Sequence, residues 1–323
     1  SLMGGATQQH AQSNSSWIAG FDLSDSYPDI HSISAANQID KDGTGSSASA
    51  WSLASFLGRV AYNYDSKYLL TANFRADGSS RFAPGHRWGY FPSVSAGWRV
   101  SSEKFMKSLA KIVTDMKLRV GWGMNGNQNG IGNYSYLASM KSSKVSPTTT
   151  NLYPGLAISP YSAANKELTW EKTTQWNAGL DLTLFDSRLI FAFDLYYKKT
   201  TDLLLTVNLP DNVNLPGGIT RNDGEMSNKG LEVSVSSKNF KNKFKWNTDF
   251  NISFNRNKLT KLGLNKIYYY AGMYETKENA VILKEGLPLG TFFGYISKGV
   301  DPETGNITYS DLNHNGILDP GDR

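Results

Sequence analysis

The most specific chemistry in the chain lies in twelve residues, Asp311-x-Asn313-x-Asn315-Gly316-Ile317-x-Asp319-x-x-Asp322. Hard oxygen donors at the first, third and fifth places, with glycine sixth for a sharp turn, repeat the spacing of a calcium loop. Asp311, Asn313 and Asn315 would offer side-chain oxygens and Ile317 its backbone carbonyl. Asp319 would bind directly or through water, and Asp322 would close the shell with a shorter arm than the usual glutamate. The same residue types are favoured in turns, so a loop that binds nothing fits the pattern too. A second set of candidates is the loop tyrosines Tyr134, Tyr136, Tyr153, Tyr161 and Tyr268 to Tyr270. Their flat rings suit stacking on a sugar or peptide, or packing of one loop on another. Catalytic chemistry is not visible. His10, His31, His86 and His314 are scattered without metal spacing, and cysteine is absent. That excludes disulfides, thiolate catalysis and Cys-ligated metals. Asp22 with Asp25 reads as a solvated pair, and Asn222-Asp223-Gly224-Glu225 as a turn. The expectation is a protein that is not an enzyme.

The elements that must hold these residues are strands. From Phe244 to Asn255, apolar Phe244, Trp246, Phe250, Ile252 and Phe254 alternate with Lys245, Asn247, Asp249, Asn251 and Ser253. A period of two sustained this long means one extended strand, near the length a tilted strand needs to cross a bilayer. The pattern recurs eight more times, beginning near residues 17, 56, 68, 94, 117, 170, 189 and 231. Tight connections at Asp65-Ser66, Asp186-Ser187 and 239–243 alternate with long stretches at 25–50, 78–90, 125–168 and 202–228, and with everything after Asn257. The link 101–115 is intermediate, with a short helix expected from Glu103 to Lys111. Tight turns at one end of a sheet and long loops at the other are the asymmetry of outer-membrane barrels. Trp170 and Tyr197 near the long-loop ends, with Tyr64 and Tyr68 at a tight turn, are placed as interfacial rings.

Composition agrees. At 39% hydrophobic residues with 17 Tyr, 15 Phe and 8 Trp, the chain suits sheets with one apolar and one wet face. It lacks any apolar run long enough for a transmembrane helix, which a barrel does not need. The net charge of +5 is spread along the sequence rather than gathered into a basic stripe, so nucleic-acid binding is not expected. Polar strand residues such as Arg59, Arg75, Asp181, Asp194 and Asp249 are expected to face a lumen and pair there or with a plug. Residues 1–9 show no secretory leader.

The ordered segments Ala72-Asn73-Phe74-Arg75-Ala76-Asp77-Gly78-Ser79-Ser80-Arg81-Phe82, Arg87-Trp88-Gly89-Tyr90-Phe91-Pro92-Ser93 and Leu118-Arg119-Val120-Gly121-Trp122-Gly123-Met124-Asn125 resemble the barrel of SusC/RagA-type TonB-dependent transporters. Leu168-Thr169-Trp170-Glu171-Lys172-Thr173, Tyr196-Tyr197-Lys198-Lys199, Asn228-Lys229-Gly230-Leu231-Glu232 and Gly290-Thr291-Phe292-Phe293-Gly294-Tyr295 continue the resemblance in order. It implies a nutrient importer in the outer membrane of Gram-negative, Bacteroidetes-type cells. Such a protein has a barrel of about 22 strands closed by a plug. It works with a SusD-like lipoprotein and TonB-ExbB-ExbD on glycan or peptide cargo. Against that pattern, residues 1–256 are expected to be barrel strands, and 257–323 a long extracellular loop region holding the calcium-like loop. Plug, TonB box and remaining strands are expected from outside this sequence, because open edges are not tolerated in lipid. The fold class expected is all-β, an antiparallel transmembrane β-barrel segment. Alternatives at this level are a passive porin-like channel and a soluble, calcium-stabilised carbohydrate-binding β-protein.

Overall fold

The computed structural model describes residues 1–23, 33–145, 155–263, 267–272 and 279–323. In chain order the strands are β1 (Leu2–Leu23), β2 (Ala36–Tyr64), β3 (Tyr68–Ser79), β4 (Trp88–Arg99) and β5 (Val113–Asn127). Then come β6 (Ser139–Val145), β7 (Gly155–Ser162), β8 (Glu171–Leu184), β9 (Leu189–Thr201), β10 (Leu204–Val207), β11 (Ile219–Asn222), β12 (Glu225–Lys241) and β13 (Lys245–Lys261). Short strands β14 (Ile267–Gly272), β15 (Asn279–Lys284), β16 (Thr291–Phe292), β17 (Ser297–Val300) and β18 (Ile307–Tyr309) complete the order. The nine long strands form one antiparallel sheet, β1-β2-β3-β4-β5-β8-β9-β12-β13. The others form small sheets inside the long connections: β6 with β7, β10 with β11, β14-β15-β16, and β17 with β18.

Register turns nine separate alternations into two continuous faces. One row runs Tyr62, Leu70, Ala96, Val120, Ala178, Leu195, Leu231, Phe254 across eight strands. The adjacent row runs Ala61, Thr71, Ser95, Gly121, Asn177, Tyr196, Gly230, Asn255. A one-residue slip at any pairing would mix the two sets. The row through Tyr64 and Tyr68 at the β2–β3 turn meets β5 at Leu118 and β12 at Val233. Those positions lie well inside strands that extend to Val113 and Lys241, so the sheet is staggered, as tilted barrel strands require.

Two of the tight turns are built on left-handed backbone. Asp65 and Ser66 have φ of 50° and 52°, and Phe185, Asp186 and Ser187 have 51°, 52° and 63°. Asn63 Oδ1 accepts the Ser66 N–H at 3.0 Å, an Asx turn that helps set the first of them. The β4–β5 link holds 3₁₀ turns at Val100–Ser102 and Lys104–Leu109, where the sequence led to expect one short helix.

Two expectations are corrected. The first strand starts at Leu2, not near Trp17, and most of 25–50 is not a connection, because β2 begins at Ala36. Residues such as Gln8, His10, Gln12, Asn14 and Ser16 carry no apolar period. They pair with Ala54, Ser52, Ala50, Ala48 and Ser46 through the backbone ladder, with one side-chain hydrogen bond added between His10 Nδ1 and Ser52 Oγ at 2.9 Å. Trp170 is not an interfacial ring. It is 4% exposed in a core with Phe82, Phe91, Ile131, Leu168 and Leu204 at the roots of the long connections. Its ring lies 5.1 Å from Phe82 and 5.5 Å from Phe91. Its indole N–H donates to the Arg87 carbonyl at 2.9 Å, which gives the buried polar edge a partner.

Candidate functional site

On the polar face, charges are paired across strands. Arg119 stands in a row with Gly179, Asp194 and Glu232. Its guanidinium donates to both oxygens of Asp181 at 2.8 Å and reaches Asp194 at 3.0 Å. The fork geometry of arginine matches a carboxylate in this bidentate way. Gly179 makes room: a Cβ there would lie 2.5 Å from Asp194 Oδ1 and 2.8 Å from Arg119 Nη2. Asp249 accepts from Ser236, and Asn73 donates to Ser93 at 3.1 Å. The residues expected to face a lumen are therefore on one face, with Asp181 and Asp194 joined through Arg119.

Toward the long connections, the polar face deepens into a cleft of about 380 Å³ lined by Arg75, Asp77, Asn125, Asn127, Gln128 and Trp170 among others. Arg75 donates to both Asp77 oxygens at 2.7 and 2.8 Å and to Ser55 Oγ at 3.1 Å, which fixes its direction. Asn127 donates to Glu171 at 3.0 Å. Arg81 donates to the Gln128 carbonyl at 3.3 Å and lies 4.8 Å over the Trp51 ring. Gln128 Oε1 is buried and receives no hydrogen bond among the described residues. Amides on one side and an aromatic wall on the other suit a ligand rich in hydroxyls or peptide groups. Sequence reasoning missed this shelf. Its signal is the run Asn125-Gly126-Asn127-Gln128-Asn129 at the end of a strand, with amides crowded where turn residues are usual.

The candidate tyrosines lie in the connections. Tyr134 Oη accepts the Ala50 N–H at 3.1 Å, tying its loop to β2. The Tyr136 carbonyl accepts from Asn165 at 3.2 Å. Tyr161 has Lys141 Nζ 5.9 Å over its ring, and its carbonyl accepts from Gly217 at 2.7 Å. These contacts pack loop on loop. Tyr153 lies outside the described residues, as do the side chains of Tyr268 to Tyr270.

In the 311–322 loop, Asp311 accepts from the Gly316 N–H at 2.7 Å and the Asn315 N–H at 3.2 Å. Asn313 Oδ1 accepts from Asn315 at 3.0 Å, and Asn315 Oδ1 from Ile317 at 2.8 Å, so each donor bends the chain toward the next. Asp322 is fully buried and accepts the N–H groups of Leu312, Asn313 and Asp319 at 2.7, 3.4 and 3.0 Å. Those N–H groups, that of Asp319 first, hold its carboxyl below the usual range. Asn313 and Asn315 turn their amide nitrogens onto the Asp319 carboxylate at 3.2 and 2.6 Å. Among the described residues, no three His, Cys, Asp or Glu side chains converge as a metal cluster. The donor types fit calcium, while their arrangement is closed on the loop's own N–H groups.

A family model for the TonB dependent receptor-like β-barrel matches residues 2–317. The chain is 37% identical over 285 residues to the TonB-dependent receptor SusC of Bacteroides thetaiotaomicron, covering 84% of this chain and 28% of SusC. It is 36% identical over 279 residues to the TonB-dependent receptor P39 of Formosa agariphila, covering 84% and 25%. This chain therefore spans about a quarter of the length of these curated relatives. The structure of the RagAB peptide transporter superposes with a TM-score of 0.74 at 26% identity, over 95% of this chain and 33% of that one. With the family model matching nearly end to end, the chain belongs to the TonB-dependent receptor β-barrel family, of SusC/RagA type.

Proposed function

We propose that this chain is an arc of the wall of an outer-membrane importer for oligosaccharides or peptides, energised through TonB-ExbB-ExbD and served by a SusD-like surface lipoprotein. The observation that carries the reading is the register, which keeps one face apolar and the other polar across eight strands of the sheet, β2 to β13. A wall between lipid and water needs that pattern, with every backbone group paired. The outer edges of β1 and β13 carry no partner among the described residues, so further strands and a plug complete the barrel. The long connections face outward and the tight turns face the periplasm. The amide shelf beside Trp170 contacts cargo, and an incoming N–H or O–H would satisfy Gln128 Oε1.

The test is uptake of labelled oligosaccharides and peptides by cells carrying the intact transporter. Uptake should vanish when TonB is deleted, and Asn127→Ala with Gln128→Ala should reduce it several-fold without changing the amount of folded barrel. Uptake that persists without TonB would leave a passive channel instead. We also propose that 311–322 takes up calcium by turning the Asn313 and Asn315 oxygens inward. Affinity should be on the order of 10⁻⁴–10⁻³ M, as in extracellular modules. Calorimetric titration of the intact transporter should then give a heat that Asp311→Ala abolishes.

A further inference from the structure

The β4–β5 link combines exposed apolar and basic side chains at the tight-turn end of the sheet. Its first residues are pinned to the apolar side of the sheet. Glu103 Oε1 accepts from Tyr68 Oη at 2.6 Å and from Trp98 Nε1 at 3.2 Å, and both rings stand on apolar rows. Hydrogen bonds from Tyr68 and Trp98, with Lys67 nearby, hold the Glu103 carboxyl below its usual range. Val100 and Met106 are buried and anchor the turns from beneath. What the link then shows to solvent is mixed: Phe105 is 64%, Leu109 46% and Ile112 49% exposed, interleaved with exposed Lys104, Lys107 and Lys111. At three residues per turn, Lys104 and Lys107 form one ridge, and Met106 and Leu109 another. Among the described residues no acidic side chain pairs with these lysines, since Glu103 is held by the two rings. Neighbouring Phe185, 49% exposed, is tied to the link through its N–H to the Ile112 carbonyl at 2.9 Å, so the apolar surface continues along the rim.

We propose that this link is a docking site for anionic phospholipid in the leaflet at the tight-turn end. Phe105 and Leu109 enter the acyl boundary, and Lys104, Lys107 and Lys111 hold the phosphates. Two observations select lipid as the occupant: the patch adjoins the apolar face of the sheet through Tyr68 and Trp98, and its lysines have no acidic partner among the described residues, as a cationic site for headgroups requires. The inference rests on the orientation proposed above, with tight turns toward the periplasm.

The test uses the intact transporter in phosphatidylethanolamine vesicles with and without cardiolipin, followed by native mass spectrometry. Wild type should retain cardiolipin in preference to phosphatidylethanolamine. The variant K104Q/K107Q/K111Q should retain it on the order of a hundredfold more weakly, for three surface charges. The substituted side chains are exposed, and heat-modifiable gel migration reports that the barrel is intact. Equal retention by the variant, no preference in wild type, or full displacement by free inorganic phosphate would each overturn the proposal. Equal lipid retention together with an acidic protein crosslinked at Ser108→Cys would replace lipid with a protein partner. The orientation is read separately, because this sequence has no cysteine of its own. Labelling of Ser108→Cys by an impermeant maleimide on intact cells would overturn the orientation itself. Protection there, with lipid binding unchanged in the variant, would overturn only the lipid site.

Discussion

At the scale of the residue, the polar face depends on a few charge-assisted pairs. Arg119 binds Asp181 through both oxygens and Asp194 through one, so removing it leaves two carboxylates close together. The site is part-exposed, with Arg119 30% accessible, which screens the loss to on the order of 1 kcal/mol. Arg119→Gln should therefore lower the heat-modification midpoint slightly, and Arg119→Lys should not restore it, because an ammonium lacks the planar fork. Asp322 makes the matching case in the loops. Its carboxyl is depressed in the folded state, so it stabilises the loop above the unfolded value near 3.9. That contribution is lost as pH falls through the lower, folded value. Protection from hydrogen exchange at Leu312, Asn313 and Asp319, taken against the unstructured rate at the same pH, should hold at pH 5 and fall only below about 3.9. Asp322→Asn should lose that protection at pH 5 and differ little from wild type once the carboxyl is protonated. Asp311, Asn313, Asn315 and Asp322 were legible as an ordered turn from spacing alone. The direction of the Asn313 and Asn315 amides was not, because an amide offers a donor and an acceptor of the same size.

At the scale of the element, eight of the nine long strands were legible because each crosses a boundary between two media, and the boundary writes a period of two; β1 was read only from its far end, Trp17 to Leu23. Where that boundary is absent the signal vanishes, although the strand does not. Residues 2–16 and 36–50 are paired through their backbones yet show no apolar face, so the sequence reads there as loop. Trp170 misled for a related reason: its position near a strand end suits an interfacial ring, but Phe82 and Phe91 draw it into a local core. The two faces also make unequal demands. Leu195→Arg places a charge on the apolar face and should destabilise the barrel by about 2–4 kcal/mol. Asn177→Arg, on the polar face one row away, should change stability by less than about 0.5 kcal/mol. Unfolding of the intact transporter in lipid vesicles by urea distinguishes these outcomes. At the β2–β3 turn, Ser66→Val should cost about 1–2 kcal/mol at φ 52°, whereas Ser66→Gly should be neutral or stabilising.

At the scale of the whole molecule, stagger, paired faces and unequal connections describe a wall whose ends do different work. One end is closed by turns of a few residues, and the other opens into connections with small sheets and an aromatic root. The β1–β2 hairpin departs from both. Its apolar alternation fades above Ala6 and Phe56 and returns only at Trp17 to Leu23, yet its ladder continues to Leu23 and Ala36, roughly 55 Å further at about 3.3 Å per residue. On the proposed orientation, this is a mast standing clear of the membrane, rich in serine, glycine, asparagine, glutamine and alanine, with Trp17, Ile18, Phe21 and Ile39 exposed toward its far end. Its ladder needs only backbone groups, so most of its side chains are free to drift without disturbing the register. A bacteriophage or an antibody approaching the cell would meet that mast before any part of the wall. Strain-to-strain variation should therefore gather on it, with proline excluded only where a residue's N–H donates across the β1–β2 ladder.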